Sequence, residues 1–274
     1  MRGRLKQGRH QGDIAAIGDR VHISLNNDGS GMIEEVTDRQ RALIRLDPRP
    51  RGVYQQVLLA NLDQVVFVFS CANPDPHLRM LDRFLVIAEK QAIPAVIVAN
   101  KTDLVSEEIA TRMFSHYRGL GYPLFLTSAR LDLGIETLRQ QLSGRISALA
   151  GPSGVGKSSL LNAIQPGLGL QVKEVSLVVN KGRHTTNFRQ LLPLLGGGYV
   201  GDTPGLRSLA LWDTEPEELD GYFPEIAPLV GQCRFNDCDH TPGTPGCAVC
   251  QALDEGRIHP QRYDSYLRLR AGDR

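Results

Sequence analysis

Hydrophobic and polar positions fall into three rhythms along the chain. From residue 1 to about 62 the apolar runs are short and alternate with polar residues: 20–25, 31–36 and 42–46, with Asn26-Asn27-Asp28-Gly29 between the first two. That pattern predicts a small antiparallel β module. From about residue 63 to 211 the rhythm changes. Segments 65–69 and 95–99 are continuous apolar runs, the kind a strand shows when both of its faces are buried. Between them, Leu78, Leu81, Leu85 and Ala88 recur at helical spacing. Further on, 146–150 reads as another buried strand and Lys157 opens a helix that runs to Ile164. Strand–helix–strand alternation of this sort predicts an α/β fold with a mainly parallel sheet. Beyond residue 212 the chain is acidic (Asp213, Glu215, Glu217, Glu218, Asp220), then rich in cysteine, and ends in a helical pattern over 260–270. The expected organisation is therefore a β module over 1–62, an α/β domain over 63–211 and a small C-terminal domain over 212–274.

Chemistry is concentrated in the middle domain. Gly151-Pro152-Ser153-Gly154-Val155-Gly156-Lys157-Ser158 fits the phosphate-loop pattern G-x-x-x-x-G-K-S without a mismatch, and it lies between a predicted strand and a predicted helix. The glycines let backbone N–H groups turn inward around a phosphate, and the helix N-terminus adds positive potential. Lys157 is placed to reach the β- and γ-phosphates, the Ser158 hydroxyl to ligate Mg²⁺, and Ser159 continues the nucleotide-binding segment into the helix.

The base is chosen elsewhere. Asn100-Lys101-Thr102-Asp103 follows the buried strand at 95–99. An Asp103 carboxylate can accept two hydrogen bonds from guanine, whereas adenine offers neither donor and would leave it unpaired. Asn100 can bond the other base edge and tie its loop to the phosphate loop, and Lys101 can lay its aliphatic stem on the base. Thr127-Ser128-Ala129, after an apolar run at 123–126, is positioned for a backbone contact to the guanine carbonyl. Asp202-Thr203-Pro204-Gly205 follows a strand end at Tyr199-Val200. Asp202 there can hold Mg²⁺ through water, and the Gly205 N–H can sense the γ-phosphate. Together these motifs predict GTP/GDP and Mg²⁺ as ligands and oppose an ATPase or small-molecule kinase.

The order is unusual. Ras-like GTPases place the phosphate loop first and the guanine motifs last, whereas here N-K-T-D and S-A precede G-x-x-x-x-G-K-S and D-T-P-G. Joining the old termini and cutting after the second switch yields this order without changing the sheet. The switch then leads directly into the C-terminal segment.

Other features exclude more than they assign. A net charge of +1 and a pI near 7.7 do not announce a nucleic-acid binder. No run is long and apolar enough for a membrane span, and no secretory signal is visible, so the expectation is a cytoplasmic protein and no membrane partner. Cys71 reads as a small core residue. Cys233, Cys238, Cys247 and Cys250 cluster around His240, which in a cytosolic chain suggests metal before disulfides. Nothing in the sequence points beyond a monomer.

With these motifs in place the chain resembles the circularly permuted ribosome small-subunit-dependent GTPase A family over nearly its whole length. The resemblance rests on Gly18-Asp19-Arg20-Val21, Ala60-Asn61-Leu62-Asp63-Gln64, N-K-T-D, the phosphate loop, Gly182-Arg183-His184-Thr185-Thr186, D-T-P-G and Cys233-Arg-Phe-Asn-Asp-Cys238-Asp-His240. It implies an OB-like N-terminal module, a zinc-binding C-terminal domain, and a GTPase that acts late in small-subunit maturation, is stimulated by that subunit and contacts its rRNA. The alternatives are a GTP-binding RNA-associated module with little turnover and a permuted GTPase of the large subunit. Met1-Arg-Gly-Arg-Leu resembles the family's second strand, so the expectation is a module lacking its first strand or a recorded start downstream of the true one. Switch I falls on Thr186, favoured over Thr185 as a Mg²⁺ ligand. Leu206 stands where Ras-like enzymes carry a water-orienting glutamine, which leaves His184 as the nearest catalytic candidate; its other readings are a solvent-exposed loop histidine or an RNA contact, with a partner supplying the missing group. The resemblance selects Cys233, Cys238, His240 and Cys247 as structural zinc ligands and leaves Cys250 spare. It departs from the family in one respect: six residues separate His240 from Cys247, where the family has five.

Overall fold

The computed structural model describes residues 13–46, 55–168, 190–202 and 214–272, with the side chains of Leu46 and Asp202 outside that description. The N-terminal region forms two antiparallel pairs, β1 (Val21–Leu25) with β2 (Gly31–Val36) and β3 (Ala42–Leu46) with β4 (Gln55–Ala60). The α/β region contributes β5 (Gln64–Ser70), α1 (Leu78–Lys90), β6 (Ala95–Asn100), α2 (Glu107–Gly119), β7 (Leu124–Leu126), α3 (Ile135–Leu142), β8 (Ile146–Ala150), α4 (Lys157–Ile164), β9 (Gln190–Pro193) and β10 (Tyr199–Asp202). The C-terminal region holds α5 (Ala248–Asp254) and α6 (Pro260–Arg270) after two 3₁₀ segments. No helix among the described residues is long and apolar enough to cross a membrane.

The central sheet runs β7-β6-β5-β8-β10-β9, parallel throughout except for the edge strand β9. Every residue of β5 is buried, and its period of two assigns alternate side chains to two cores. Val65, Phe67 and Phe69 pack with Leu81, Phe84 and Leu85 of α1 and Phe114 of α2. Val66 and Val68 pack on the other face with Leu138 and Leu142 of α3 and Leu160 and Leu161 of α4. The chain builds outward from β5 to β6 and β7, then returns to lay β8 on the opposite side of β5. The strand order therefore reverses between β5 and β8, the place where open α/β sheets bind ligands beyond their carboxyl ends.

The Asn61-Leu62-Asp63-Gln64 junction fastens the β module to this sheet. The Asn61 side chain donates to the Gly18 carbonyl (3.1 Å) and accepts from the Gln40 N–H (3.0 Å). Asp63 exchanges side-chain and backbone bonds with Ile146 at the start of β8 (2.8 Å each). Buried Gln64 donates to Ser147 Oγ (2.9 Å) and accepts from Gln141 (2.7 Å). Gly18 has φ +90°, and any Cβ there would strike the Ala60 carbonyl.

The C-terminal region packs its own apolar cluster, including Leu219, Phe223, Ile226, Val249 and Tyr266, onto Val86 of α1. Polar chemistry completes the contact. Arg262 of α6 is fully buried and bonds Asp82 of α1 (2.9 Å) and Glu225 (2.6 Å). Asp82 also accepts from Tyr117 (2.8 Å) and Ser265. Burial alone would lower the Arg262 pKa; the bond to Glu225 and the charges of Glu225 and Asp82 outweigh it and hold the guanidinium charged. Beside them His116 stacks on His259 (4.1 Å between centroids), and burial, then the charge of His259, push the His116 pKa down to about 4.

Removing Arg262 would strand two carboxylates in a dry interface. Arg262→Ala is expected to destabilise the protein by about 3–5 kcal/mol in chemical denaturation, while replacing Arg262, Asp82 and Glu225 together by apolar residues recovers most of that loss. A loss under about 1 kcal/mol for Arg262→Ala would show that this contact does not hold the C-terminal region in place.

Candidate functional site

The carboxyl ends of β5, β6 and β8 bring the sequence motifs to one edge of the sheet. At the end of β8 the phosphate loop winds through left-handed glycines, with φ +145° at Gly151, +79° at Gly154 and +96° at Gly156. Space imposes glycine as firmly as conformation does. A Cβ on Gly151 would meet the Val68 carbonyl of β5, and one on Gly156 would meet the Asn100 side-chain amide. Val155 is buried and anchors the loop in the core beneath α4, whereas Ser153 is exposed. Lys157 folds back over the loop and donates to the carbonyls of Gly151 (2.8 Å) and Pro152 (2.7 Å). Phosphate oxygens can take over those bonds, because an ammonium with three donors exchanges one oxygen partner for another. Ser158 and Ser159 occupy the first turn of α4.

Asn100 joins the base motifs to this loop. It is 1% exposed and donates from Nδ2 to the Val155 carbonyl (2.8 Å). Its Oδ1 accepts from Thr127 Oγ1 (3.2 Å) and the Ala129 N–H (3.4 Å). N-K-T-D, T-S-A and the phosphate loop thus meet on a single amide. Lys101 follows with φ +61°, and its ammonium donates to the Asn73 carbonyl; burial holds its pKa below the usual lysine value, against the pull of Asp103. The Ser128 hydroxyl donates to Asp103 Oδ1 (2.6 Å) and accepts from the Leu131 N–H (3.2 Å). Ser128 therefore orients the Asp103 carboxylate, a contact beyond the backbone one that the motif suggested. Cys71 is buried beside this site, and burial raises its thiol pKa to about 11.

The backbone of Asp202 ends β10 one strand from the phosphate loop. Its side chain, with Gly205, His184, Thr185 and Thr186, lies outside the described residues.

A second centre lies in the C-terminal region. Ligand atoms of Cys233, Cys238, His240 and Cys247 all fall within 4.8 Å of one another. His240 Nδ1 is 3.6 Å from Cys233 Sγ and 3.5 Å from Cys247 Sγ. A tetrahedral zinc with Zn–S of about 2.3 Å and Zn–N of about 2.0–2.1 Å requires about 3.6 Å along that edge, so the donor set fits the metal. The other imidazole nitrogen of His240 faces Asp220 (3.3 Å). Asp220 accepts in turn from Tyr266 (2.6 Å) and Arg270 (3.0 Å). A carboxylate behind a ligating histidine fixes its ring and tautomer. The bond to Asp220 also raises the His240 pKa, against burial. His240 sits at φ +55°, held there by a bond from Tyr263 to its carbonyl (2.6 Å). Cys250 lies outside the four-atom group.

Sequence reasoning read Asp220 only as part of an acidic stretch. Asp82, Glu225 and Arg262 went unread as a group because Arg262 lies 180 residues from Asp82 and 37 from Glu225, and the three touch only in the fold.

A family model described as RsgA GTPase matches residues 36–212. A "Small ribosomal subunit biogenesis GTPase RsgA" of Gemmatimonas aurantiaca is 49% identical over 98% of this chain and 88% of that protein. One of the same name from Moorella thermoacetica is 45% identical over 97% of this chain and 87% of that protein. Among solved structures, YjeQ from Thermotoga maritima is similar with a TM-score of 0.79 at 39% identity, covering 99% of this chain and 88% of that one. YloQ, described as a circularly permuted GTPase, is similar with a TM-score of 0.73 at 32% identity, covering 99% of this chain and 84% of that one.

The guanine reading makes a sharp forecast. Asp103→Ala removes two charge-assisted bonds to the base and is expected to weaken GDP binding by about a hundredfold or more, with ADP binding unchanged. Ser128→Ala frees the carboxylate to swing and is expected to cost about three- to tenfold. Calorimetry with both nucleotides decides this, and equal losses for GDP and ADP would contradict base selection at Asp103.

Proposed function

The chain belongs to the RsgA GTPase family, and on that premise we propose that it serves the biogenesis of the small ribosomal subunit. The family makes it a GTP hydrolase using GTP and Mg²⁺. The observation that supports the reading most is the convergence on Asn100, whose amide bonds both the loop after Gly151 and the T-S-A segment beside Asp103. The partner follows from the names of relatives that align with the chain along almost its entire length.

In this reading Lys157 and the loop N–H groups hold the β- and γ-phosphates, and Ser158, Thr186 and Asp202 hold Mg²⁺. The metal supplies charge neutralisation on the phosphates when bound. His184 positions the attacking water, since Leu206 cannot hydrogen-bond one. The missing glutamine makes intrinsic turnover slow, and docking on the small subunit late in its maturation accelerates it. The OB-like module of 1–62 meets rRNA, the domain of 63–211 hydrolyses GTP, and that of 212–274 is clipped by one structural zinc on Cys233, Cys238, His240 and Cys247. The protein acts as a cytoplasmic monomer.

GTP hydrolysis by the purified protein, alone and with small or large ribosomal subunits, tests this. Stimulation of at least about tenfold by the small subunit only is expected, in the manner of GTPases that need a partner to complete their site. Equal response to both subunits, or to neither with GDP binding intact, would remove the proposed partner.

A further inference from the structure

Cys250 is the one cysteine of the C-terminal cluster left without a task, and it lies against a candidate ligand. It stands three residues after Cys247 in the first turn of α5. Its backbone N–H donates to Cys247 Sγ (3.4 Å). On its other side the Cys250 thiol meets the Thr241 carbonyl (3.2 Å) and the Tyr263 hydroxyl (3.7 Å). It is half-buried and so open to a small solute, whereas Cys247 is 4% exposed. Cys71, the remaining cysteine, belongs to the core of the α/β domain.

This arrangement suits a disulfide. Residues three apart within a helix have Cβ atoms about 5–6 Å apart, wider than the roughly 3.5–4.5 Å a disulfide needs, so the pair closes only because Cys247 precedes the helix and can turn inward. Cys247, as the extended residue before the helix (φ −79°, ψ 116°), already turns its sulfur back towards Cys250.

We propose that Cys247 and Cys250 form a peroxide-sensitive pair whose oxidation to a disulfide withdraws Cys247 from the metal site. The proposal rests on the zinc reading above only for its consequence, not for the pairing itself. The Cys250 sulfur, as thiolate, attacks a hydroperoxide. The O–O bond breaks, leaving a sulfenic acid on Cys250 and releasing an alcohol, or water when the oxidant is hydrogen peroxide, which takes up the thiol proton. The Cys247 thiolate then attacks the sulfenic sulfur. The S–S bond forms, the S–O bond breaks, and hydroxide leaves as water with one proton drawn from solvent. The two sulfurs are oxidised by two electrons in all and the peroxide is reduced by two. Three metal ligands remain of four, so the clip that orders the segment from Cys233 to α5 opens. A thiol reductant reverses the step.

The test uses the full chain and Cys250→Ser, both assayed for zinc content and then treated with hydrogen peroxide. Zinc release is followed with a metallochromic dye, and disulfides are mapped by mass spectrometry on the 235–257 segment. Both proteins are expected to carry one zinc before treatment. The wild type is expected to release it at least about tenfold faster than Cys250→Ser, with a Cys247–Cys250 disulfide in the product, because a neighbouring thiol resolves the sulfenic acid. Equal release rates, or a disulfide joining other cysteines, would overturn the proposal. Zinc-free protein as isolated would overturn the zinc reading alone, and the disulfide map would still decide the pairing.

Discussion

One buried amide, that of Asn100, organises the nucleotide site. Its donor fixes the phosphate loop through the Val155 carbonyl and its acceptor fixes the T-S-A loop through Thr127 and Ala129. A buried amide engaged through both its nitrogen and its oxygen resists rotation, because a departure leaves polar groups unpaired away from water. Gly156 is glycine in part because a Cβ would collide with this amide. Asp103 then hangs from a loop that Thr102 ties to the Thr127 carbonyl (3.1 Å) and is aimed by Ser128. The N-K-T-D and T-S-A loops and the loop after Gly151 are therefore held by the same amide, which keeps the two halves of the candidate site in register.

Permutation changes what such a site can drive. The chain leaves β10 at Asp202, and the description resumes at Thr214, where Lys90 at the end of α1 bonds Thr214 (2.7 Å) and approaches Glu218 (3.9 Å). From there the C-terminal region is fastened to α1 through Val86 and the Asp82–Arg262–Glu225 group. The segment that carries D-T-P-G thus joins β10 to the base of the C-terminal region in sequence.

Much of this was legible in the sequence, for identifiable reasons. Strands β5 and β6 show as continuous apolar runs because helices cover both of their faces, and α1 shows because a single face meets the core. The motifs that form the candidate site are legible because G-x-x-x-x-G-K-S and N-K-x-D are local chain segments, readable without their partners. Asp82 and Arg262 lie 180 residues apart and follow no period, and Asp220 behind His240 looks like any other acidic residue of its stretch. The choice of Cys247 over Cys250 was read from a resemblance, and the four-atom geometry around His240 is compatible with it.

The claim that Asn100 unites the two halves of the site is tested most directly by GDP calorimetry on Asn100→Ala. The account expects affinity to fall about a hundredfold, since two loops lose their common anchor and the Val155 carbonyl is left unpaired. An affinity within about twofold of the wild type would contradict it.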